Sequence, residues 1–254
     1  MKILSNEEQV RYARQIVLPG VGEEGQKKLS ASSVLVVGCG GLGSPVALYL
    51  AAAGVGRIGL LDLDRVELSN LQRQILHDTM SLGESKPASG ARRIKALNSH
   101  VDVRIHEGML TLENAADLFA PYDMIVDASD NYETRLLGNE IACRQKKPFV
   151  MGAVSQFFGQ VGVFFPSKRG GCYRCMIPEI PHVDEALTPA RLGVMGAAAG
   201  VVGSMQAMEA IKLILGLGHS LIGEMFHIDL LTMKSRKVSL PQDPCCPACR
   251  KLQV

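Results

Sequence analysis

The sequence holds 254 residues, 47% hydrophobic and 20% charged. That balance excludes wholesale disorder, which needs low hydrophobicity and high net charge. With 27 Lys+Arg against 25 Asp+Glu, the net charge of +2 argues against a broad electrostatic grip on nucleic acid or on an anionic membrane.

The opening residues, Met1 to Glu8, turn polar too soon for a secretory signal. Residues 5–30 read as helical, opened by a capping box of Ser5 and Glu8 and broken by Gly20 and Gly22. Ser33–Val37 is a short apolar β-branched run, the mark of a buried parallel strand. A glycine-rich loop and a helix to about Gly54 follow. The next strand is Arg57–Asp62, then a helix over Ser85–Leu97 and strands over Val101–Glu107 and Asp123–Asp127. A helix covers Tyr132–Gln145, and Phe149–Ala153 is again a strand. This alternation implies a parallel sheet with helices on both faces. From Gly159 to Phe165 strand follows strand, so an antiparallel portion is expected in the second half. The apolar run Gly193–Gly218 is interrupted by Gln206, Glu209 and Lys212. It reads as a buried core helix, not a membrane span of about 20 predominantly apolar residues. The expected compartment is the cytoplasm.

Gly38, Gly40 and Gly43 form G-x-G-x-x-G between a strand and a helix. This is the fingerprint of a Rossmann-like, doubly wound fold. The first glycine permits the tight turn, the second the approach of a phosphate, the third close helix packing. Asp62 ends the next strand, where it can accept ribose hydroxyls. NAD or FAD is the default ligand of this pattern. The residues after Asp62 pull toward a different one. Ser69-Asn70-Leu-Gln-Arg73 follows that strand, Lys86 stands near a helix start, and Asp130-Asn131 follows the strand ending at Asp127. In an open α/β sheet ligands bind beyond the carboxyl ends of strands. Two cations (Arg73, Lys86) and two carboxylates (Asp62, Asp130) there suit a triphosphate with Mg²⁺.

Cys172-Tyr-Arg-Cys175 and Cys246-Pro-Ala-Cys249 are two C-x-x-C knuckles. Four thiolates suit one structural Zn²⁺. A redox pair and unrelated free thiols are the alternatives. Cys245 leaves the register of the second knuckle ambiguous. Cys39 and Cys143 read as packing residues, and none of the six histidines shows ligand spacing.

These segments together resemble the MoeB/ThiF adenylyltransferases, relatives of ubiquitin-activating enzymes. The resemblance is carried by Arg11-Tyr-x-Arg14-Gln, Gly38-x-Gly-Gly-Leu-Gly43, Leu61-Asp-x-Asp64, Leu68-Ser-Asn-Leu-Gln-Arg-Gln74 and Gly83-x-x-Lys86. It continues through Asp127-x-x-Asp130-Asn131, Gly152-Ala153, Gly159-Gln160, both knuckles and Gly203-Ser-x-Gln-Ala-x-Glu-Ala-Ile-Lys212. It implies one adenylation domain over 1–254: an N-terminal helical segment (1–30), a nucleotide-binding half (31–153) and a carrier-binding and zinc half (154–254). It implies a reaction in which ATP with Mg²⁺ adenylates the C-terminal Gly-Gly carboxylate of a small ubiquitin-like sulfur carrier protein, releasing pyrophosphate. By position, Gly41 lies against the nucleotide, Asp62 binds ribose, and Asn70, Arg73 and Lys86 hold phosphates. Asp130 holds Mg²⁺, and Gly38, Gly40, Gly43, Asp64, Ser69 and Asn131 complete the nucleotide set. Arg14 reaches the triphosphate of a partner subunit, so a homodimer is expected.

One departure stands out. Many relatives carry a cysteine in the loop before a Gly-Val-Met segment, where this chain has Pro189. Proline supplies no thiol, so covalent transfer through that loop, which is expected to be mobile, is not available. Two other readings stay open: a nicotinamide or flavin oxidoreductase, and a non-catalytic carrier-binding scaffold. A peptide C-terminus is the alternative substrate.

Overall fold

A computed structural model describes residues 3–180 and 192–252. Its centre is β1 (Ser33–Val37), in which every residue is buried. β1 is flanked on one side by β2 (Arg57–Asp62) and β3 (Asp102–Glu107). On the other side lie β4 (Met124–Asp127) and β5 (Phe149–Ser155), all parallel to it. From β5 the sheet continues antiparallel through β6 (Phe158–Phe164), β7 (Glu224–Asp229) and β8 (Lys234–Ser239). The spatial order is β3-β2-β1-β4-β5-β6-β7-β8. The sequence expectation of a parallel sheet with an antiparallel extension is therefore met, although β7 and β8 were not located from the sequence.

Helices cover both faces. α1 (Asn6–Ile16) and α2 (Gly22–Ala31) precede the sheet. The Ser5–Glu8 capping box forms, with Glu8 N–H donating to Ser5 Oγ at 3.2 Å and Ser5 N–H to Glu8 Oε2 at 2.9 Å. Tyr12 anchors α1, since its hydroxyl accepts from Asn98 Nδ2 at 2.8 Å. α3 (Gly43–Ala53), α4 (Lys86–Leu97) and α8 (Gly196–Leu215) share one core with the sheet. α5 (Ala115–Phe119) and α6 (Tyr132–Arg144) close the opposite core around Phe119, Phe149 and Leu136. A short α7 (Tyr173–Met176) carries part of the first cysteine knuckle.

α8 is, among the described residues, the one helix long and apolar enough to cross a membrane, and half of it is buried. Gln206 is fully buried and donates to the carbonyl of Asp127 at 2.7 Å. Glu209 accepts from Leu221 N–H at 3.0 Å. Such side-chain bonds to the sheet and its connections are those of the core helix expected from the sequence. Pro189 and its loop neighbours up to Arg191 lie outside the described residues.

The glycine loop owes its shape to one close approach. A Cβ on Gly43 would sit 1.9 Å from the Gly38 carbonyl oxygen, so only glycine lets α3 start this near the end of β1. Gly38 itself has φ of +93° and faces the Ala128 carbonyl. Gly43→Ala should accordingly cost more than about 3 kcal/mol in denaturant unfolding. Gly200→Ala, in open space within α8, should stabilise by about 0.5–1 kcal/mol. Equal effects at the two positions would refute the steric account.

Candidate active site

A cavity of about 460 Å³ opens at the carboxyl ends of the parallel strands. It lies where the chain turns from β1 to β2 on one side and to β4 on the other, so Val37 and Ala128 both line it. This is the switch point at which doubly wound sheets bind ligands. The N-terminal residues of three helices reach it. Gly41 and Leu42 lead into α3, Lys86 opens α4, and Asn131 caps α6 through its bond from Thr134 N–H at 2.8 Å. Each terminus presents a positive dipole end, which suits a polyanion. The start of α3 also leaves N–H groups without acceptors among the described residues, whereas at α4 Lys86 N–H donates to the Asp64 carbonyl, Ala88 N–H to Ser85 Oγ, and Pro87 has none.

Most of the expected residues converge here. Gly38, Gly40, Gly41, Asp62, Asp64, Ser69, Arg73, Lys86, Asp130 and Asn131 all line the cavity. Asp62 uses both carboxylate oxygens: Oδ2 accepts from Cys39 N–H at 2.7 Å and Oδ1 from Asp64 N–H at 2.9 Å. Lys86, only 6% exposed, donates to Asp64 Oδ2 at 2.7 Å. Arg73 spends one guanidinium N–H on the Ser69 carbonyl at 3.1 Å. The Asp130 carboxylate is exposed and, among the described residues, has no hydrogen bond or ion pair.

Three expected residues are not on the lining. Gly43 serves the helix contact described above. Asn70 turns inward within its short 3-10 turn, with Oδ1 accepting from Glu67 N–H at 3.4 Å and Nδ2 donating to Ser69 Oγ at 3.3 Å. Arg14 is exposed on α1, on the face away from the buried Tyr12, and has no ion-pair partner among the described residues. Other lining residues escaped the sequence reading. Gln72 and Gln74 belong to the segment already singled out. Met109 and Leu110 follow β3 at its carboxyl end, where the sheet rule alone points to them. Val194 and Ala199 arrive from the far end of the chain.

Behind the wall, Asp127 and Arg135 form a buried pair, Nε to Oδ2 at 3.5 Å. Arg135 also donates to the Ser129 carbonyl at 2.7 Å and lines the cavity. Burial pushes the Asp127 carboxyl up to about 6, against the pull of Arg135 and of the Ser129 hydroxyl.

The four knuckle cysteines meet away from this cavity. Their sulfurs lie within 4.8 Å of one another. Cys172–Cys246 is 3.6 Å, Cys175–Cys249 is 3.5 Å and Cys172–Cys175 is 3.9 Å. Tetrahedral Zn–S bonds of about 2.3 Å need sulfur separations of about 3.8 Å, so the geometry fits a Cys₄ zinc ion. It also pairs 172/175 with 246/249 and leaves Cys245 exposed outside the cluster. N–H groups of Asp243 and Gln242 point at Cys175 and Cys249 sulfurs at 3.4 Å, the arrangement thiolates favour. Cys143 is buried against this cluster, and its thiol leads the forces holding Cys172 down to about 4. The knuckle docks on α6, with Tyr173 N–H donating to Asn139 Oδ1 at 2.8 Å.

A switch-point cavity ringed by helix N-termini, lined by Arg73 and Lys86 and by the unpaired carboxylate of Asp130, defines a nucleotide-binding α/β protein. The chain belongs to the ThiF family, which it matches over residues 12–248. It is 47% identical over 249 residues to a sulfur carrier protein adenylyltransferase of Thermus thermophilus, covering 96% of this chain and 92% of that one. It is 46% identical over 248 residues to the adenylyltransferase and sulfurtransferase MOCS3 of Anopheles gambiae, covering 97% of this chain. There the chain spans only 56% of the relative's length. Among solved structures, E. coli MccB with ATP superposes with a TM-score of 0.76 at 26% identity, over 88% of this chain and 68% of that one.

The buried Asp127 gives the site a pH signature. Its folded pKa lies above its ordinary value of 3.8, so its contribution to stability is fully present below pH 3.8 and is lost as pH rises toward about 6. Asp127→Asn removes this titration. The variant should gain on the wild type by roughly 3 kcal/mol between about pH 4 and pH 7, and no further above that. A pH-independent difference in paired denaturant titrations would show that burial does not control this carboxyl.

Proposed function

We propose that the chain is an ATP-dependent adenylyltransferase that activates the C-terminal Gly-Gly carboxylate of a small ubiquitin-like sulfur carrier. The observation that carries this reading is the convergence of Arg73, Lys86 and Asp130 with three helix N-termini at the switch point. Near-full-length similarity to a sulfur carrier protein adenylyltransferase supports it.

The residues divide the work by chemistry. N–H groups at the start of α3 receive phosphate oxygens, and Arg73 and Lys86 neutralise their charge. Each Asp62 oxygen keeps a second lone pair, which suits the ribose hydroxyls. An oxygen of the carrier carboxylate attacks the α-phosphorus. The bond from that phosphorus to the β-phosphate oxygen breaks, giving acyl-adenylate and pyrophosphate. Negative charge builds on the oxygens around the α-phosphorus, and cations already in place stabilise it without reorganisation. Asp130 would hold Mg²⁺, which supplies further neutralisation of the triphosphate. Its free, exposed carboxylate fits that role. The four cysteines would hold Zn²⁺ as a structural ion. The chain acts as one unit, with 31–153 binding nucleotide and 154–254 presenting the carrier.

Arg14 completes the site from a second subunit in this reading. α1 is bound to its own chain by Tyr12 and by Arg11, whose guanidinium donates to the Leu97 carbonyl at 2.9 Å. Arg14 is left facing outward, placed to serve a symmetric partner.

ATP–pyrophosphate exchange with a candidate carrier tests this. Arg14→Ala and Asp130→Ala should each lower exchange, Asp130→Ala by roughly 10²–10³. Mixed and allowed to exchange subunits, they should recover about a quarter of wild-type activity: half the dimers are mixed, and each has one intact site. Wild-type rates for Asp130→Ala would overturn the metal assignment, and no recovery after proven subunit exchange would overturn the shared site. Elemental analysis should find one zinc per chain. Cys246→Ser should abolish it and expose residues 240–252 to amide exchange before residues 38–43. Purified protein without zinc would rule out the structural ion.

A further inference from the structure

His77 shows no ligand spacing in the sequence, yet it is one of the few buried titratable groups near the cavity, 7% exposed. Its Nε2 lies 3.0 Å from the Cys39 carbonyl oxygen and its Nδ1 2.9 Å from Ser89 Oγ. A carbonyl oxygen carries no proton, so Nε2 must donate. In the neutral ring Nδ1 is then an acceptor, and the rotatable Ser89 hydroxyl donates to it. Burial and the Lys86 ammonium hold the ring neutral against the opposing pull of the Cys39 carbonyl, Asp62 and Asp78. One tautomer is thereby selected, and it ties the glycine loop to α4, three residues beyond Lys86.

The carbonyl that His77 grips belongs to the peptide joining Cys39 to Gly40. That peptide is trans, as are all those described. In a planar trans peptide C=O and N–H point in opposite directions. Holding the Cys39 oxygen toward His77 therefore turns the Gly40 N–H the other way. Gly40 lines the cavity, and among the described residues its N–H has no acceptor. The Cys39 N–H on the other side is fixed by Asp62 at 2.7 Å. Gly40, whose φ is the torsion on one side of this peptide, would otherwise let it rotate at little cost.

We infer that His77 is a positioning residue: it sets the direction of the Gly40 N–H, and so keeps an anion donor aimed into the cavity before a phosphate arrives. The inference rests on the nucleotide reading of that cavity. It also separates two parts of the nucleotide, because a misdirected N–H in this loop weakens the hold on phosphate and leaves the nucleoside untouched.

The test is calorimetric titration of the full chain with Mg-ATP and, separately, with adenosine, which has no phosphate. His77→Leu should weaken Mg-ATP about tenfold, the loss of one hydrogen bond to an anion, and change adenosine by less than about twofold. His77→Gln, whose side-chain amide returns a donor near the Nε2 position, should restore Mg-ATP to within about threefold of wild type. Should His77→Leu fail to fold, Ser89→Ala carries the test. It frees the ring to take the other tautomer and should cost Mg-ATP about threefold, with adenosine unchanged. Parallel losses of both ligands would make His77 a packing residue and overturn the inference, as would unchanged Mg-ATP affinity. Wild-type protein that binds neither ligand would overturn the nucleotide reading itself, and the inference with it.

Discussion

Two loops at the cavity hang on one carboxylate. Asp62 ends β2, and each of its oxygens accepts a backbone N–H: one from Cys39 in the glycine loop, one from Asp64 at the start of the segment toward Arg73. Bonds to an ionised acceptor are about twice as strong as neutral ones. Both loops therefore take their positions from the end of a strand that is itself locked beside β1. The Lys86 ammonium is placed by the same chain of contacts, since Asp64 accepts from its side chain and from its backbone N–H. Remove the Asp62 charge, and the glycine loop, the Asp64 turn and the start of α4 lose their common reference.

The electrostatic character of the cavity follows from topology more than from any single residue. The strand order brings the ends of β1 and β4 side by side, and the helices after them start at that point. A third helix start, at Lys86, is folded back onto the same place. Positive dipole ends are thus gathered with the cations Arg73, Lys86 and Arg135 around a cavity that the carboxylates Asp62, Asp64 and Asp130 also line. One of those, Asp64, already neutralises Lys86 in part, so an incoming polyanion competes with a partner that is more than half exposed and readily rehydrated.

The elements legible in the sequence are those whose cause is local. β1 announces itself as an unbroken apolar run because it is buried on both faces. The glycine loop and Asp62 were legible because steric demand and strand length fix their spacing. The same holds for the capping box of α1. β8 was not legible: all six of its residues are exposed, so no alternation marks it. α5 spans only five residues, too few for a helical period. Asn70, expected at the phosphates, stands off the cavity lining with its amide bonded within its own turn, a placement that no local sequence signal marks. Val194, Ala199 and Arg135 reach the cavity through tertiary packing, and His77 earns its place only because Cys39 and Ser89 happen to flank it in space.

α8 has a property that concerns chain length, not chemistry. Gln206 fits beneath the sheet because Gly152 has no side chain; a Cβ there would stand 2.3 Å from the Gln206 amide. Gly203 is pressed as closely on the Leu42 carbonyl, at 2.4 Å for its missing Cβ. At the helix start, Met195 N–H is held by the Gln156 carbonyl at 3.1 Å. These three points fix both the rotation and the rise of the helix. Inserting or deleting one residue between them would swing everything downstream by about 100°, carrying Gln206 off the carbonyls of Asp127 and Val150. Insertions and deletions should therefore be absent from the first three turns of this helix across the family and gather beyond its left-handed cap at Gly216.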